Sequence, residues 1–299
     1  MGQAVPGSTW VKVMPAVFVV IWSTGFIVAR YAMPHAPPFK FLALRFFLSV
    51  ACFGVWAVWS RAAWPADRRQ WAHLAVTGLF MHAGYLGGVW AAVKLGMGAG
   101  LVALLMGLQP VLTAIWVSAQ GGKVARAQWL GLALGFAGLA LVVWQKLGMG
   151  EVHAASFSLA LGALLSMTMG TLYQKRYLQP CAVPTANLVQ NLAAFALMAP
   201  LALLLETEAV HFNVPLLGAL AWSVLALTLG GSSLLYLLIQ RGAATSVTSL
   251  LYLVPPTTAF MAWVLFSEPI TVVTVAGTAL TALGVSLVVR TPAAKPIAA

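Results

Sequence analysis

GMGAGLVALLMGLQPVLTAIW, residues 96–116, is the stretch whose reading decides the fold. It is an apolar run of the ~20 residues that cross a bilayer as a helix. It opens on glycines and carries a polar Gln109 beside Pro110. GAATSVTSLLYLVPPTTAFMAW, residues 242–263, repeats the plan: small residues first, an apolar turn next, then Pro255 and Pro256 at matching depth. Pro110 and Pro255 stand 145 positions apart in a chain of 299 residues. A repeat at about half the chain length indicates a duplicated membrane protein.

Composition agrees. Hydrophobic residues make up 62% and charged residues 7%, against roughly a quarter charged in a soluble domain. The pattern predicts an all-α integral membrane protein of ten transmembrane helices, near 12–32, 39–60, 71–93, 97–119, 127–146, 156–176, 185–205, 215–238, 244–266 and 270–290. The connections are short and marked by Pro, Gly or charge, so no soluble domain is expected. The first apolar run lacks a small-residue cleavage site, which argues against a signal peptide. Cys52 sits in a span and Cys181 in a loop, so neither a disulfide nor a metal site is expected. No cofactor is called for either.

The net charge of +11 reflects orientation rather than nucleic-acid binding. With the N-terminus inside, Lys12, Arg61, Arg68, Arg69, Lys123, Arg126, Lys175, Arg176, Arg241, Arg290 and Lys295 fall on the cytoplasmic side, and Arg30, Lys40, Lys94 and Lys146 on the other. Basic residues favour cytoplasmic loops, so both termini are expected in the cytoplasm.

The repeat extends beyond its central pair. Arg30-Tyr31 and Pro34 are echoed by Arg176-Tyr177 and Pro180, Pro38 by Pro184, and Gly131 and Gly138 by Gly277 and Gly284, all at an offset of 146. The halves are therefore 1–148 and 149–299. Five spans per half is an odd number, so the second half enters the membrane with opposite polarity. Inverted repeats of this kind mark alternating-access transporters, with the substrate site near the midplane.

Five plus five spans, the Pro-bearing fourth and ninth helices, and Ser267-Glu268-Pro269 before the last span resemble the drug/metabolite transporter superfamily. Within it the chain is most similar to the EamA-type bacterial exporters, particularly the YddG-like aromatic amino acid exporters. An acidic residue often precedes both the fifth and tenth spans in that family, whereas this chain has Gly122-Lys123 in the first half. The resemblance implies a bacterial inner-membrane protein whose helices 1, 3, 4, 6, 8 and 9 line a central cavity.

The acids are informative by their placement. Asp67, Glu151, Glu206, Glu208 and Glu268 all fall in loops or at span ends. A carrier of cations keeps an acid at membrane depth, because a buried positive charge needs a partner. A neutral or zwitterionic cargo fits this chain better. His82 and Tyr85 share a helical face flanked by Gly84, Gly87 and Gly88, which would leave room for a ligand. A histidine satisfied by a neighbouring helix is the equal alternative. Trp22, Ser23 and Thr24 in the first span, with Ser166, Thr168 and Tyr173 in the sixth, join aromatics to hydroxyls. Ser232, Ser233 and Tyr236 in the eighth, and Ser249 and Tyr252 in the ninth, continue that pattern. Each serine alone is ordinary helix-packing glue; the cluster suits an uncharged pocket for an amino acid with a large apolar side chain.

Gln109, Thr113 and Trp116 share a face of the fourth helix. Pro110, Pro255 and Pro256 free backbone carbonyls at membrane depth, as hinges or as static kinks. Arg45 is the one basic residue squarely inside an apolar run, and Asn191 is its repeat partner. A structural or gating role is expected of it ahead of substrate binding, and Lys94 is a second gate candidate. Gly131, Gly135 and Gly138, with Gly277, Thr281 and Gly284, form small-residue stripes for close packing within the bundle or between protomers.

The expected function is export of aromatic or large neutral amino acids and related metabolites by alternating access through an uncharged central cavity. Expected partners are the small-molecule substrate and the lipid bilayer, with no nucleic acid; the stripes leave a homo-oligomer open. A membrane-embedded enzyme would need paired acids or a His–acid pair at depth, and neither is present. A carrier of nucleotide-linked or drug-like compounds on the same fold is the alternative; a channel is disfavoured by the inverted repeat.

Overall fold

The computed structural model describes residues 9–120, 125–150, 152–231, 234 and 253–290. The helices are α1 (Thr9–Ala32), α2 (Pro38–Trp59), α3 (Arg68–Lys94), α4 (Ala99–Met106 continued by Gln109–Ala119), α5 (Arg126–Gly148), α6 (Ala154–Tyr177), α7 (Val183–Leu205), α8 (Val214–Gly230), α9 (Val254–Phe266) and α10 (Val272–Arg290). No strand occurs among the described residues. Six of these helices, α2 to α7, are long and apolar enough to cross a membrane, and shorter apolar helices cover Ala16–Ala32, Val214–Gly230, Val254–Phe266 and Val272–Val288. Their outward side chains, among them Val55, Trp59, Trp144 and Leu203, are exposed. Such a surface, on helices of this length, fits a lipid environment.

Local chemistry sets the helix ends. The Asp67 carboxylate accepts from Arg69 N–H at 3.0 Å and starts α3 three residues before the sequence pattern suggests. The Asn213 side-chain oxygen accepts from Leu216 N–H at 2.9 Å at the start of α8, where Pro215 occupies the first turn. Two other starts are capped from afar. Glu206 accepts from Phe39 and Lys40 N–H at 2.7 and 2.8 Å, and Glu268 accepts from Ala99 N–H at 3.0 Å. A carboxylate at a helix N-terminus satisfies orphan donors and complements the helix dipole.

These contacts gather the α1–α2, α3–α4, α7–α8 and α9–α10 connections at one end of the bundle. His211 N–H donates to His35 O at 2.9 Å, and Thr271 Oγ1 donates to Gln145 Oε1 at 2.7 Å, so the end of α5 lies there as well. At the opposite end Gln70 Nε2 donates to Gln179 O at 2.9 Å, and Thr185 Oγ1 to Ala63 O at 3.0 Å. Helices α1, α3 and α5 thus run toward the first end, and α6, α8 and α10 run away from it.

α5 and α10 cross at their glycines. A Cβ on Gly131 would strike Gly284 O, and one on Gly138 would strike Gly277 O and Thr281 Oγ1. Each contact therefore joins one glycine to the 146-offset counterpart of the other. The stripes are used inside this chain. α4 breaks at Gly107–Leu108 and restarts at Gln109, with Pro110 in the new first turn. Gly107 lies against Pro255 of α9, where a Cβ would be 3.0 Å from the proline ring.

Replacing Gly138 by Val should therefore destabilise the protein by about 1–3 kcal/mol through overpacking. Gly162, on α6, has nothing within 4 Å of a built Cβ, so Gly162→Val serves as the control. Thermal unfolding in detergent checks this: a lowered midpoint for the first and an unchanged one for the second.

Candidate functional site

Two helices leave the α-helical path at corresponding places. α3 forms a π-helical turn over Leu79–Gly84, which contains His82, and α8 does so over Ser223–Gly230, which contains Thr228. His82 and Thr228 are themselves 146 positions apart. A π turn widens the helix and frees carbonyls, and such turns gather at functional sites. Here Ser166 Oγ donates to Phe80 O at 2.9 Å, while Thr228 Oγ1 donates to Ser223 O at 2.8 Å.

Between these turns lies a cavity of about 560 Å³, within the ~300–1,000 Å³ usual for small-molecule sites. Trp22 and Phe26 of α1, Arg45 of α2, His82, Tyr85, Val89 and Trp90 of α3, and Leu227 and Thr228 of α8 line it. Asn187 and Gln190 of α7 and Met167 of α6 complete the deep wall. Trp90 stacks on Phe41 at 4.4 Å between ring centroids and closes the floor. The other end is bounded by Gln174, Lys175, Gln179 and Pro180, all exposed, so the cavity opens beside the α6–α7 connection. Cys181 lies at this mouth, where burial pushes its thiol up despite a hydrogen bond from Gln70.

The wall is not uncharged, contrary to the sequence reading. Arg45 is 7% exposed, and its Nη2 and Nε donate to Thr228 Oγ1 at 3.1 and 3.4 Å. α2 buries this face against α3 and α8, so the side chain is enclosed where the helical pattern alone left it free to reach the surface. The glycines beside His82 also do other work. A Cβ on Gly84 would strike Ser166 Oγ, one on Gly87 would meet Met198, and one on Gly88 would meet Leu159 O. They admit α6 and α7 rather than a ligand. His82 lies edge-on to Phe46, at 6.1 Å between centroids, on the wall it shares with Gln190.

The remaining expected site residues divide. Gln109, Pro110 and Pro255 line a small neighbouring cavity that shares Trp22, Phe26, Tyr85 and Met167 with the large one. Pro256 sits beside Pro255 in the first turn of α9. Ser23 is fully buried and donates to Val19 O at 2.7 Å, which makes it a packing residue of α1. Ser166 is likewise used between α3 and α6. Tyr173 pairs its hydroxyl with His73 Nδ1 at 2.7 Å, beside the mouth rather than on the cavity wall. Ser232, Tyr236 and Tyr252, with Ser233 and Ser249, lie outside the described residues. The sequence reading missed Trp90, Gln190 and Thr228. The last two could have been found from the repeat, since Thr228 is the offset partner of His82 and Gln190 precedes that of Arg45.

The closed end is held by charge. Lys94 Nζ pairs with Glu208 Oε2 at 2.7 Å and also donates to Met33 O at 3.3 Å, while Lys40 Nζ donates to Glu208 O at 2.6 Å. The contact joins α3 and α2 to the α7–α8 connection.

The described residues form an all-helical body with an apolar outer surface and a mainly apolar cavity open at one end, the form of a membrane carrier. The chain belongs to the EamA-like transporter family, whose model matches it twice, over residues 10–144 and 155–290. It is 28% identical over 280 residues to a "Probable amino-acid metabolite efflux pump" of Salmonella typhimurium, covering 89% of this chain and 90% of that protein. It is 25% identical over 287 residues to the "Uncharacterized transporter YvbV" of Bacillus subtilis, covering 91% and 89%. A crystal structure 18% identical in sequence shares the fold with a TM-score of 0.66, over 94% of this chain and 96% of the other.

The Lys94 ammonium, hydrogen-bonded to Glu208, holds that carboxyl below its ordinary value. A lowered folded-state pKa stabilises above the unfolded value and is lost as pH falls through the folded one. The stability difference between the native chain and Glu208→Gln should thus be small, because the pair is exposed, present at neutral pH, and gone in acid. Thermal midpoints of the two proteins between neutral and acid pH check this, and added salt should shrink the difference.

Proposed function

We propose that the protein exports amino acids, aromatic and large neutral ones foremost, and related metabolites across the bacterial inner membrane. It works by alternating access between two inverted five-helix halves, residues 1–148 and 149–299, with ten spans and both termini in the cytoplasm. The carrying observation is the cavity between the π turns of α3 and α8, open at one end and tied shut at the other. The double match of the family model, the opposed courses of α1 and α6, and the reciprocal glycine contacts of α5 with α10 support the inverted halves. The basic residues around the open end support its placement on the cytoplasmic side. The Salmonella relative's name supports the substrate class.

The cavity serves an aromatic side chain well, since Trp22, Phe26, Tyr85 and Trp90 offer flat apolar faces. It serves a phosphorylated cargo poorly, because Arg45 is the one Lys or Arg on its deep wall among the described residues. In the transport cycle the Lys94–Glu208 contact opens as the mouth closes, with the break in α4 and the prolines of α4 and α9 absorbing the motion.

Counterflow of radiolabelled phenylalanine, threonine and methionine into liposomes tests the reading. Uptake of phenylalanine and methionine without a pH gradient is expected, with His82→Ala reducing it roughly tenfold through loss of a wall contact. Failure of all three amino acids with folded protein overturns it. Cross-linking Lys94→Cys to Glu208→Cys should stop counterflow, and a reductant should restore it.

A further inference from the structure

We propose that Arg45 is the anion-binding residue of the cavity and that cargo is recognised by its carboxylate end alone. Aromatic carboxylates lacking an ammonium would then be bound as well as the corresponding amino acids. This inference rests on the transport reading above and sharpens its substrate class.

Arg45 has no counter-charge among the described residues. Asp67 caps α3, Glu206 caps α2, Glu268 caps α4, and Glu208 pairs with Lys94. Every described carboxylate is thus used at an end of the bundle, and among the described residues none reaches Arg45. A guanidinium 7% exposed on a cavity wall has lost most of its hydration. A buried charge without a partner is costly, and an arriving anion repays that cost. Thr228 supplies a neutral oxygen and, by donating its own proton to Ser223 O, presents its lone pairs to the guanidinium. That fixes one edge of the fork. Since Thr228 is the acceptor Arg45 reaches among the described residues, the remaining N–H groups are free for the paired oxygens of a carboxylate. His82 and Gln190 lie on the same wall and add polar side chains near the guanidinium.

A cationic group meets the opposite situation. No described carboxylate lines the cavity, and Arg45 repels a second positive charge there. The ammonium of an amino acid therefore gains nothing from a charged partner, while the acid end gains a bidentate one. Among the described residues of the deep wall Arg45 is the one fixed cation, which matches a single anionic group.

The test uses the full chain in lipid nanodiscs and three ligands that share one ring: 3-phenylpropanoate, phenylalanine and 2-phenylethylamine. Titration calorimetry at neutral pH should find the propanoate bound at least as tightly as phenylalanine, and the amine roughly tenfold weaker or worse. Arg45→Gln keeps a donor for Thr228 but removes the charge, and should weaken both acids by roughly ten- to a hundredfold. Arg45→Lys keeps the charge but loses the paired donors, and should bind both acids more weakly than the native chain and more tightly than the Gln variant. A purely structural Arg45 would leave the ranking of the three ligands unchanged in the folded Gln variant, which overturns the proposal. Tight binding of the amine overturns it also, and that comparison needs no variant. Phenylalanine bound with the propanoate silent defeats this inference and leaves amino acid export standing. Silence from all three with folded protein defeats both.

Discussion

Scarcity of negative charge governs this structure. In a medium that cannot hydrate an ion, each carboxylate must either stay at the membrane edge or find a partner within. The chain keeps its described acids at the edges and makes each one structural. Glu206 and Glu268 reach across from the ends of α7 and α9 to cap α2 and α4, and Glu208 ties Lys94 and Lys40 to the α7–α8 connection. One end of the bundle is thereby tied together by carboxylate caps and an exposed ion pair. Among the described residues the cavity wall is left with a single enclosed guanidinium and a set of aromatic faces.

The scaffold that makes this arrangement stable is apolar and close-packed. Glycines let α5 meet α10 nearly backbone to backbone, and they let α3 lie against α6 and α7. Where α3 and α8 widen into π turns, the packing gives way to the cavity.

Much of the fold was legible in the sequence because membrane spans are written in length and hydropathy. Helix limits from α1 to α7 follow the apolar runs to within a few residues, Asp67 extending α3 by its cap. The site was less legible. His82, Tyr85 and Trp22 stand out as polar or aromatic groups in apolar runs, and they do line the cavity. Ser23 and Ser166 stand out for the same reason, yet their hydroxyls return to backbone carbonyls. Composition cannot tell a hydroxyl that faces a cavity from one that satisfies its own or a neighbouring helix. The glycines around His82 misled similarly, because room left by a missing side chain is taken by whichever neighbour packs closest. Arg45 was visible, but its enclosure depends on α3 and α8, which the run FLALRFFL does not encode.

Paired accessibility of the two ends bears most directly on the carrier account. In a Cys52→Ser background, native Cys181 reports the mouth, and Val93→Cys, at a position 2% exposed beneath Lys94, reports the sealed end. Alkylation rates with membrane-impermeant reagents, with and without transported phenylalanine, give the answer. The account predicts that Cys181 reacts only from the cytoplasmic side and slows with substrate, while the cysteine at 93 reacts only from the opposite side and quickens. Rates that move together, or a single side reaching both cysteines, would contradict it.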